Sequence, residues 1–250
     1  ISQLLSMNPF EYPISYYGQG LNANISAVYA FPVSRSFVIG AGAAYNYRGD
    51  FYPKKTESGG KFNPGDEIIA DLGFDVKLTD QLGFNFDVAY TLYSRDKYDD
   101  QEIFELGDKI SIYGELRFNI SRLKNNIFVI NRIKSNNLAI SDISEEDLKT
   151  GGQLDIGYRG RLPVTYLTAL LFKAGFKLYQ DSEYISGGEL IKTGKTTLIG
   201  VGAGISLNVS DYTSFEVLGE YKTGKMNLLL IKDEQDISGF SASFGTVIRF

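Results

Sequence analysis

The sequence has 250 residues, a net charge of −5 and no Cys, His or Trp. Those absences exclude disulfides, thiolate nucleophiles, imidazole bases and metal sites built on Cys or His, and with them most hydrolase mechanisms. The acidic balance argues against nucleic acid as a partner. The length suits one large all-β domain, and 27 Gly, 17 Tyr and 17 Phe beside only 6 Pro favour that class. We expect no cofactor and no metal.

The dominant sequence pattern alternates with period two. In residues 21–31, Leu, Ala, Ile, Ala, Tyr and Phe hold one parity, and mostly polar residues hold the other. Because successive side chains of a strand point to opposite faces, this segment is predicted as a strand with one apolar and one polar face. The same pattern recurs in 37–48, 68–78, 82–92, 110–120, 154–159, 166–178, 199–207, 215–222 and 240–250. Segment 127–133 is also predicted as a strand, but its orientation stays open.

The connections between these strands alternate in length. Short ones are predicted at 32–35, 79–81, 121–125, 161–164 and 209–212, and long polar ones at 49–66, 94–107, 134–151, 180–195 and 223–237. This sorting is typical of an up-and-down transmembrane barrel with short periplasmic turns and long external loops. Aromatic residues at the strand ends predict two interfacial girdles: Tyr45, Tyr47, Tyr90, Tyr93, Tyr179 and Tyr221 toward the long loops, and Phe31, Phe37, Phe118, Tyr166 and Phe215 toward the short turns. A water-soluble barrel or sandwich with an apolar core is the alternative.

The number of strands follows from their direction. The first and last clear strands both run toward the short-turn side, whereas a closed bacterial barrel normally has an even number of strands. We therefore expect one more strand, at 9–17, with 18–20 as its turn, although Pro13 removes a ladder donor. The prediction is a transmembrane antiparallel β-barrel of about 12 strands, formed as one domain by residues 1–250. Residues 1–10 form either a plug in the lumen or a periplasmic extension.

The last eight residues carry a family resemblance. Ser243, Gly245, Ile248 and Phe250 stand at the polar, glycine, apolar and terminal aromatic positions of an alternating strand. This segment resembles the C-terminal assembly signal of Gram-negative outer-membrane β-barrel proteins. The resemblance implies an outer-membrane location in contact with lipid and lipopolysaccharide, and insertion by the barrel-assembly machinery. A signal peptide is then expected to have preceded Ile1 and to have been removed.

The polar face of the predicted strands holds the candidate functional residues. These are Arg48, Asp71, Asp75, Lys77, Asp87, Lys109, Glu115, Arg117, Asp155, Arg159, Lys173, Lys177, Glu216, Glu220, Lys222 and Arg249. They would line the lumen, either as a polar channel that selects solutes or as a mutually neutralising network that fills it.

Three functions are weighed for such a barrel. The first is a narrow passive pore or transport protein for small polar solutes, and the second is a non-conducting accessory or scaffold subunit that contacts other envelope proteins. An enzyme is not expected, because the carboxylate pairs Asp71/Asp75 and Glu216/Glu220 lie about 13 Å apart along their strands, beyond the glycosidase spacings. The 12-stranded outer-membrane phospholipase type, which the barrel resembles in strand number, depends on a His that this chain lacks.

Overall fold

The fold is built entirely from strands in the part of the chain that the structure describes. A computed structural model describes residues 21–52, 60–141, 144–186, 189–210, 213–227 and 234–248. Its strands, in chain order, are β1 (Asn22–Ser34), β2 (Phe37–Arg48), β3 (Phe62–Asn63), β4 (Glu67–Lys77), β5 (Leu82–Tyr93), β6 (Asp96–Tyr98), β7 (Gln101–Glu105), β8 (Lys109–Ile120), β9 (Leu123–Lys134), β10 (Asn137–Ser141), β11 (Ser144–Leu148), β12 (Gln153–Pro163), β13 (Thr168–Tyr179), β14 (Ser182–Ser186), β15 (Glu189–Thr193), β16 (Thr196–Asn208), β17 (Thr213–Asn227) and β18 (Glu234–Ile248). Among these residues, none forms a helix that is long and apolar enough to cross a membrane.

Eleven long strands form one antiparallel sheet in chain order. The order is β1-β2-β4-β5-β8-β9-β12-β13-β16-β17-β18, so each strand pairs with the long strands before and after it. Within the described residues, β1 and β18 each have one hydrogen-bonded neighbour, and the sheet has two free edges there. Both edge strands end at the side of the short turns and therefore run in the same direction. The expected strand at 9–17, the segment 1–10, Arg249 and Phe250 lie outside the described residues.

Several strands are longer or shorter than the pattern predicted. The prediction that 161–164 is a turn was wrong, because the β12–β13 ladder continues through Arg161, paired with Leu171, to Pro163. Pro163 lies beyond Arg161, the last residue of β12 that pairs with β9, so it has only one neighbouring strand, as at a sheet edge. Tyr166 lies in the turn before β13 rather than in that strand. The connection predicted at 223–237 is shorter in the structure, because β17 and β18 extend into this range from both sides.

The long connections themselves contain short strands, which the sequence pattern did not predict. β11, β10, β7, β6 and β3 pair in that order as a small sheet, and β14 pairs with β15 as a hairpin. Three of the four buried apolar side chains among the described residues belong to the small sheet: Ile103, Ala139 and Leu148. This is the usual arrangement of a water-soluble core, but it is confined to the loop side of the molecule.

An ion-pair cluster holds the small sheet. Arg95 Nη1 lies 2.6 Å from Glu102 Oε2, and Arg95 Nε lies 2.8 Å from Glu105 Oε2. The hydrogen bond from Arg95 lowers the pKa of Glu102, so this carboxylate stays charged and paired at neutral pH. The clustered charges therefore stabilise the fold of the connections.

The large sheet has the opposite distribution of polarity from a soluble domain. On β16, Ile205 is 50% exposed whereas its neighbour Ser206 is 0% exposed. Ser214 is also 0% exposed, and Thr91, Asp155 and Glu220 are buried on the same face as Ser206. We call this the polar face and the opposite one the apolar face. A water-soluble β-sandwich buries its apolar face, so the exposure of that face excludes the sandwich arrangement for the described strands.

Aromatic side chains are concentrated on the apolar face. The ring of Phe74 lies 5.9 Å from that of Phe37, 5.8 Å from Phe84 and 5.6 Å from Phe86, measured between centroids. At the loop end of β5, the exposed Tyr90 donates its hydroxyl hydrogen to Asp108 Oδ2 at 2.7 Å. The ring of Tyr90 is therefore exposed on the apolar face while its hydroxyl is held by the residue that precedes β8.

Two of the residues assigned to the girdles lie elsewhere. Tyr93 pairs with Glu67, and Tyr179 pairs with Gln153 and Thr196, which places both tyrosines on the polar face. Their distance from the strand ends was predicted correctly but their parity was not.

The register also fixes the orientation of β9, which the sequence left open. Asn126 pairs with Arg117 and Arg159, so the even-numbered residues of β9 share the polar face. Ile127, Val129 and Ile133 are therefore on the apolar face, and each is exposed.

Candidate functional site

The strand register gathers nearly all charges of the large sheet on the polar face. Residues directly opposite each other in neighbouring strands share a face, and this relation can be followed from β2 to β17. The cations on that face are Arg48, Lys77, Lys109, Arg117, Lys124, Arg132, Lys134, Arg159, Arg161, Lys173, Lys177 and Lys222, and the anions are Glu67, Asp71, Asp75, Asp87, Glu115, Asp155, Glu216 and Glu220. Cations therefore exceed anions on this face, although the whole chain is acidic.

Every described residue of the predicted lumen-lining set lies on this one face. Five further residues of this face were not predicted from the sequence: Glu67, Lys124, Arg132, Lys134 and Arg161. Lys124 and Arg161 were missed because they were assigned to turns, and Arg132 and Lys134 because the parity of β9 was open. Among the described side chains of the large sheet, the charges on the apolar face are Lys225 and Asp236, at the loop ends of β17 and β18.

The polar face is the concave face of the sheet. Arg161 on β12 reaches Glu216 on β17 with Nη1–Oε1 at 2.6 Å, past β13 and β16. In a flat sheet those two strands would be about 14 Å apart. A cavity of about 660 Å³ is lined both by Arg117 of β8 and by Leu218 of β17, which a flat sheet would hold about 24 Å apart. The sheet must therefore curl around this space.

Carboxylates on β17 bind two of the cations that surround the cavity. Arg161 donates to Glu216 and, through Nη2, to Ser206 Oγ at 2.9 Å. Lys173 Nζ lies 3.0 Å from Glu220 Oε2. On the other side, Arg117 donates to Asp75 of β4, past β5. These pairs connect strands that are not neighbours in the sheet and brace the curved wall.

Glycines on the polar face make room for the charged side chains of adjacent strands. A Cβ at Gly73 would lie 2.8 Å from Asp87 Oδ2, and a Cβ at Gly42 would lie 2.8 Å from Asp71 Oδ2. The ring of Phe128 occupies the space over Gly157, and the guanidinium of Arg159 lies over that ring at 4.7 Å. Bulkier residues at these positions would displace the charges that face the cavity.

A second cavity, of about 790 Å³, lies at the loop end between the strands and the small sheet. Arg48, Glu67, Asp96, Phe51 and Phe104 are among the residues that line it. Arg48 forms an ion pair with Glu67, and Gly65 donates its N–H to Asp96 Oδ1 at 2.6 Å. Burial raises the pKa of Asp96 above the ordinary aspartate value. This cavity adjoins the free edge of β1, so the described residues do not define its wall on that side.

The described part of the assembly motif lies in β18. Ser243 pairs with Leu218 and Gly245 pairs with Glu216, both on the polar face, and Ile248 is the last residue of the strand. β18 is also a free edge in the described part of the sheet. An edge with exposed N–H and C=O groups is the kind of strand that another strand can pair with.

The polar face offers cationic and anionic side chains together around an open space that a polar or charged solute could enter. In the described part of the chain, no group of three or more His, Cys, Asp or Glu side chains is placed to hold a metal ion. Asp71 and Asp75 lie on one strand with three residues between them, and Glu216 and Glu220 repeat that spacing on β17. No protein-family model matches the sequence, and no curated protein matches it significantly.

Proposed function

We propose that this protein is an integral outer-membrane β-barrel of about 12 strands that serves as a narrow passive pore for small polar solutes. The observation that carries the proposal is the inverted polarity of the sheet, with an exposed apolar convex face and a charged concave one. In water such a face would cause association, whereas in lipid it is the required surface.

The height of the apolar band fits a bilayer. On β5, the apolar face runs from Leu82 to Leu92 through alternate residues. Ten residue steps extend about 33 Å along a strand, and a tilt of about 40° reduces that to about 25 Å, the usual height of the lipid-facing band of these barrels. The loop sheet with its own small core then lies on the external side.

Closure of the barrel is part of the proposal. If β1 and β18 paired directly they would be parallel, since they run in the same direction. One strand of opposite direction between them restores antiparallel pairing on both edges. We assign residues 9–17 to that role, because unpaired backbone groups in hydrocarbon cost several kcal/mol each and both edges must be covered.

A scaffold function is the second candidate, and the ion pairs of the concave face favour it. Arg161–Glu216, Lys173–Glu220 and Arg117–Asp75 neutralise much of the charge and stiffen the wall. The cavity of about 660 Å³ between them favours a pore instead, because a packed lumen would leave no such space.

Conductance distinguishes the two functions. The purified full chain, refolded in detergent until it migrates as a compact form in unheated gels, should give reproducible single-channel steps in a planar bilayer. The same preparation boiled before addition is the control and should give none. If the folded protein gives no conductance steps and liposomes that contain it do not swell in small sugars, the pore proposal is wrong and the scaffold function is favoured.

A further inference from the structure

The cavity on the concave face carries a charge pattern that the pore proposal does not use. Its charged lining consists of Arg117, Lys124, Arg159, Arg161 and Lys173 with one carboxylate, Glu216. Five cations against one anion is a strong local excess in a chain whose net charge is −5. The cavity lies toward the short-turn half of the sheet, since Lys124 and Arg161 are close to the turn ends of β9 and β12.

Like charges face each other directly in this cavity. Arg159 is the register partner of Lys173, and Arg161 is the register partner of Lys124. Directly opposed like charges destabilise a sheet unless a counter-charge lies between or beside them. Two such pairs on three consecutive strands are therefore a feature that stability alone does not favour.

The carboxylates of β17 form a salt bridge with only one cation of each like-charged pair. Glu220 binds Lys173, and Glu216 binds Arg161. No salt bridge within the described residues involves Lys124 or Arg159, and both side chains are exposed to the space inside the sheet. Arg159 is held instead by the ring of Phe128, which orients the guanidinium without neutralising it.

We propose that this cavity is a binding site for a small oxyanion, such as inorganic phosphate or a carboxylate, held chiefly by Lys124 and Arg159. A guanidinium fork matches the oxygen atoms of a carboxylate or phosphate in pairs, and a lysine adds a flexible point charge. A space of about 660 Å³ falls within the range of small-molecule sites. In a conducting barrel the same site makes the pore anion-selective, and only that consequence rests on the proposed function.

Phosphate-dependent stability tests the site without requiring conduction. Thermal unfolding of the refolded full chain in detergent is followed by gel migration, with inorganic phosphate or with chloride at equal ionic strength. Phosphate should raise the unfolding temperature of the unmodified protein. The double variant Lys124→Gln, Arg159→Gln should lose this rise and should unfold at a higher temperature without phosphate, because its like-charge repulsion has been removed.

A matched control comes from the loop end of the same face. Lys109 and Lys134 are also direct register partners of like charge, but neither lines the cavity. The double variant Lys109→Gln, Lys134→Gln should keep the phosphate effect. If phosphate stabilises no variant, or if it stabilises the Lys124/Arg159 variant as much as the unmodified protein, the site is wrong.

Reversal potentials in a salt gradient test the transport consequence. The unmodified pore should prefer chloride to potassium, and the Lys124/Arg159 variant should reduce that preference by roughly threefold or more, since two solvent-accessible charges are lost. A conducting but cation-selective pore would refute anion selectivity but would still support the pore proposal. If the protein does not conduct but phosphate still stabilises it, the pore proposal is refuted and the anion site is supported.

Discussion

Replacing Leu72 by lysine should largely prevent stable insertion of the protein into lipid vesicles. Leu72 is at the centre of β4, on the apolar face, and is 59% exposed. A lysine at the bilayer midplane of a barrel costs about 2–4 kcal/mol, which corresponds to about a 30- to 700-fold loss in the equilibrium between the inserted and unfolded forms. Denaturant titration in vesicles, read from heat-modifiable gel migration, measures this loss.

The control for this variant is Ala89→Lys on the neighbouring strand. Ala89 lies on the polar face, directly opposite Asp71, so the new ammonium group would face a carboxylate. The stability of this variant should stay within about 1 kcal/mol of the unmodified protein. If Leu72→Lys proves as stable as Ala89→Lys, the apolar face does not contact lipid, because a half-exposed leucine in water tolerates lysine well.

Removal of residues 1–20 should abolish the compact form of the barrel. Without a strand from this segment, β1 and β18 would expose two long rows of unpaired N–H and C=O groups to hydrocarbon, at several kcal/mol for each group. We expect no heat-modifiable species and loss of protease protection in vesicles. The variant Ile14→Pro, Tyr16→Pro keeps the length of the chain but removes two ladder donors, and it should weaken insertion in the same direction.

A shorter deletion on the loop side should be tolerated. Removing residues 182–193 eliminates the β14–β15 hairpin and leaves four residues, 180, 181, 194 and 195, between β13 and β16. Four-residue loops commonly close antiparallel hairpins, so the large sheet should persist. If the chain without residues 1–20 folds as well as this control, the barrel closes without the assigned strand.

The sequence predicted the strands of the large sheet well because their two faces differ so strongly. Alternation such as that from Leu82 to Leu92 defines both the strand and the face of each residue, and the observed register agrees with it. The pattern failed where both parities carry apolar groups. On β9, Phe128 and Ile130 lie on the polar face, and Phe128 is accommodated there only because Gly157 is opposite it.

Residues near strand ends were the second source of error. Arg161 and Lys124 were assigned to turns because proline and polar residues cluster at those positions, yet both are paired in the ladder and line the cavity. The loop sheet could not be predicted, because a core of three residues, Ile103, Ala139 and Leu148, is too small to create a periodic signal. Ion pairs between strands that are not neighbours, such as Arg161–Glu216, depend on the curvature of the sheet, which a local sequence pattern does not predict.

Spin-label accessibility along β5 in lipid vesicles tests the central arrangement most directly. The chain has no Cys, so single cysteines at each position from 84 to 90 can be labelled selectively, and this stretch contains no glycine. The even-numbered positions should be relaxed by oxygen dissolved in the lipid, and the odd-numbered positions by a water-soluble nickel chelate, with a strict period of two. Equal access of the nickel chelate to both sets, or oxygen access confined to the odd-numbered positions, would contradict a sheet whose apolar face meets lipid.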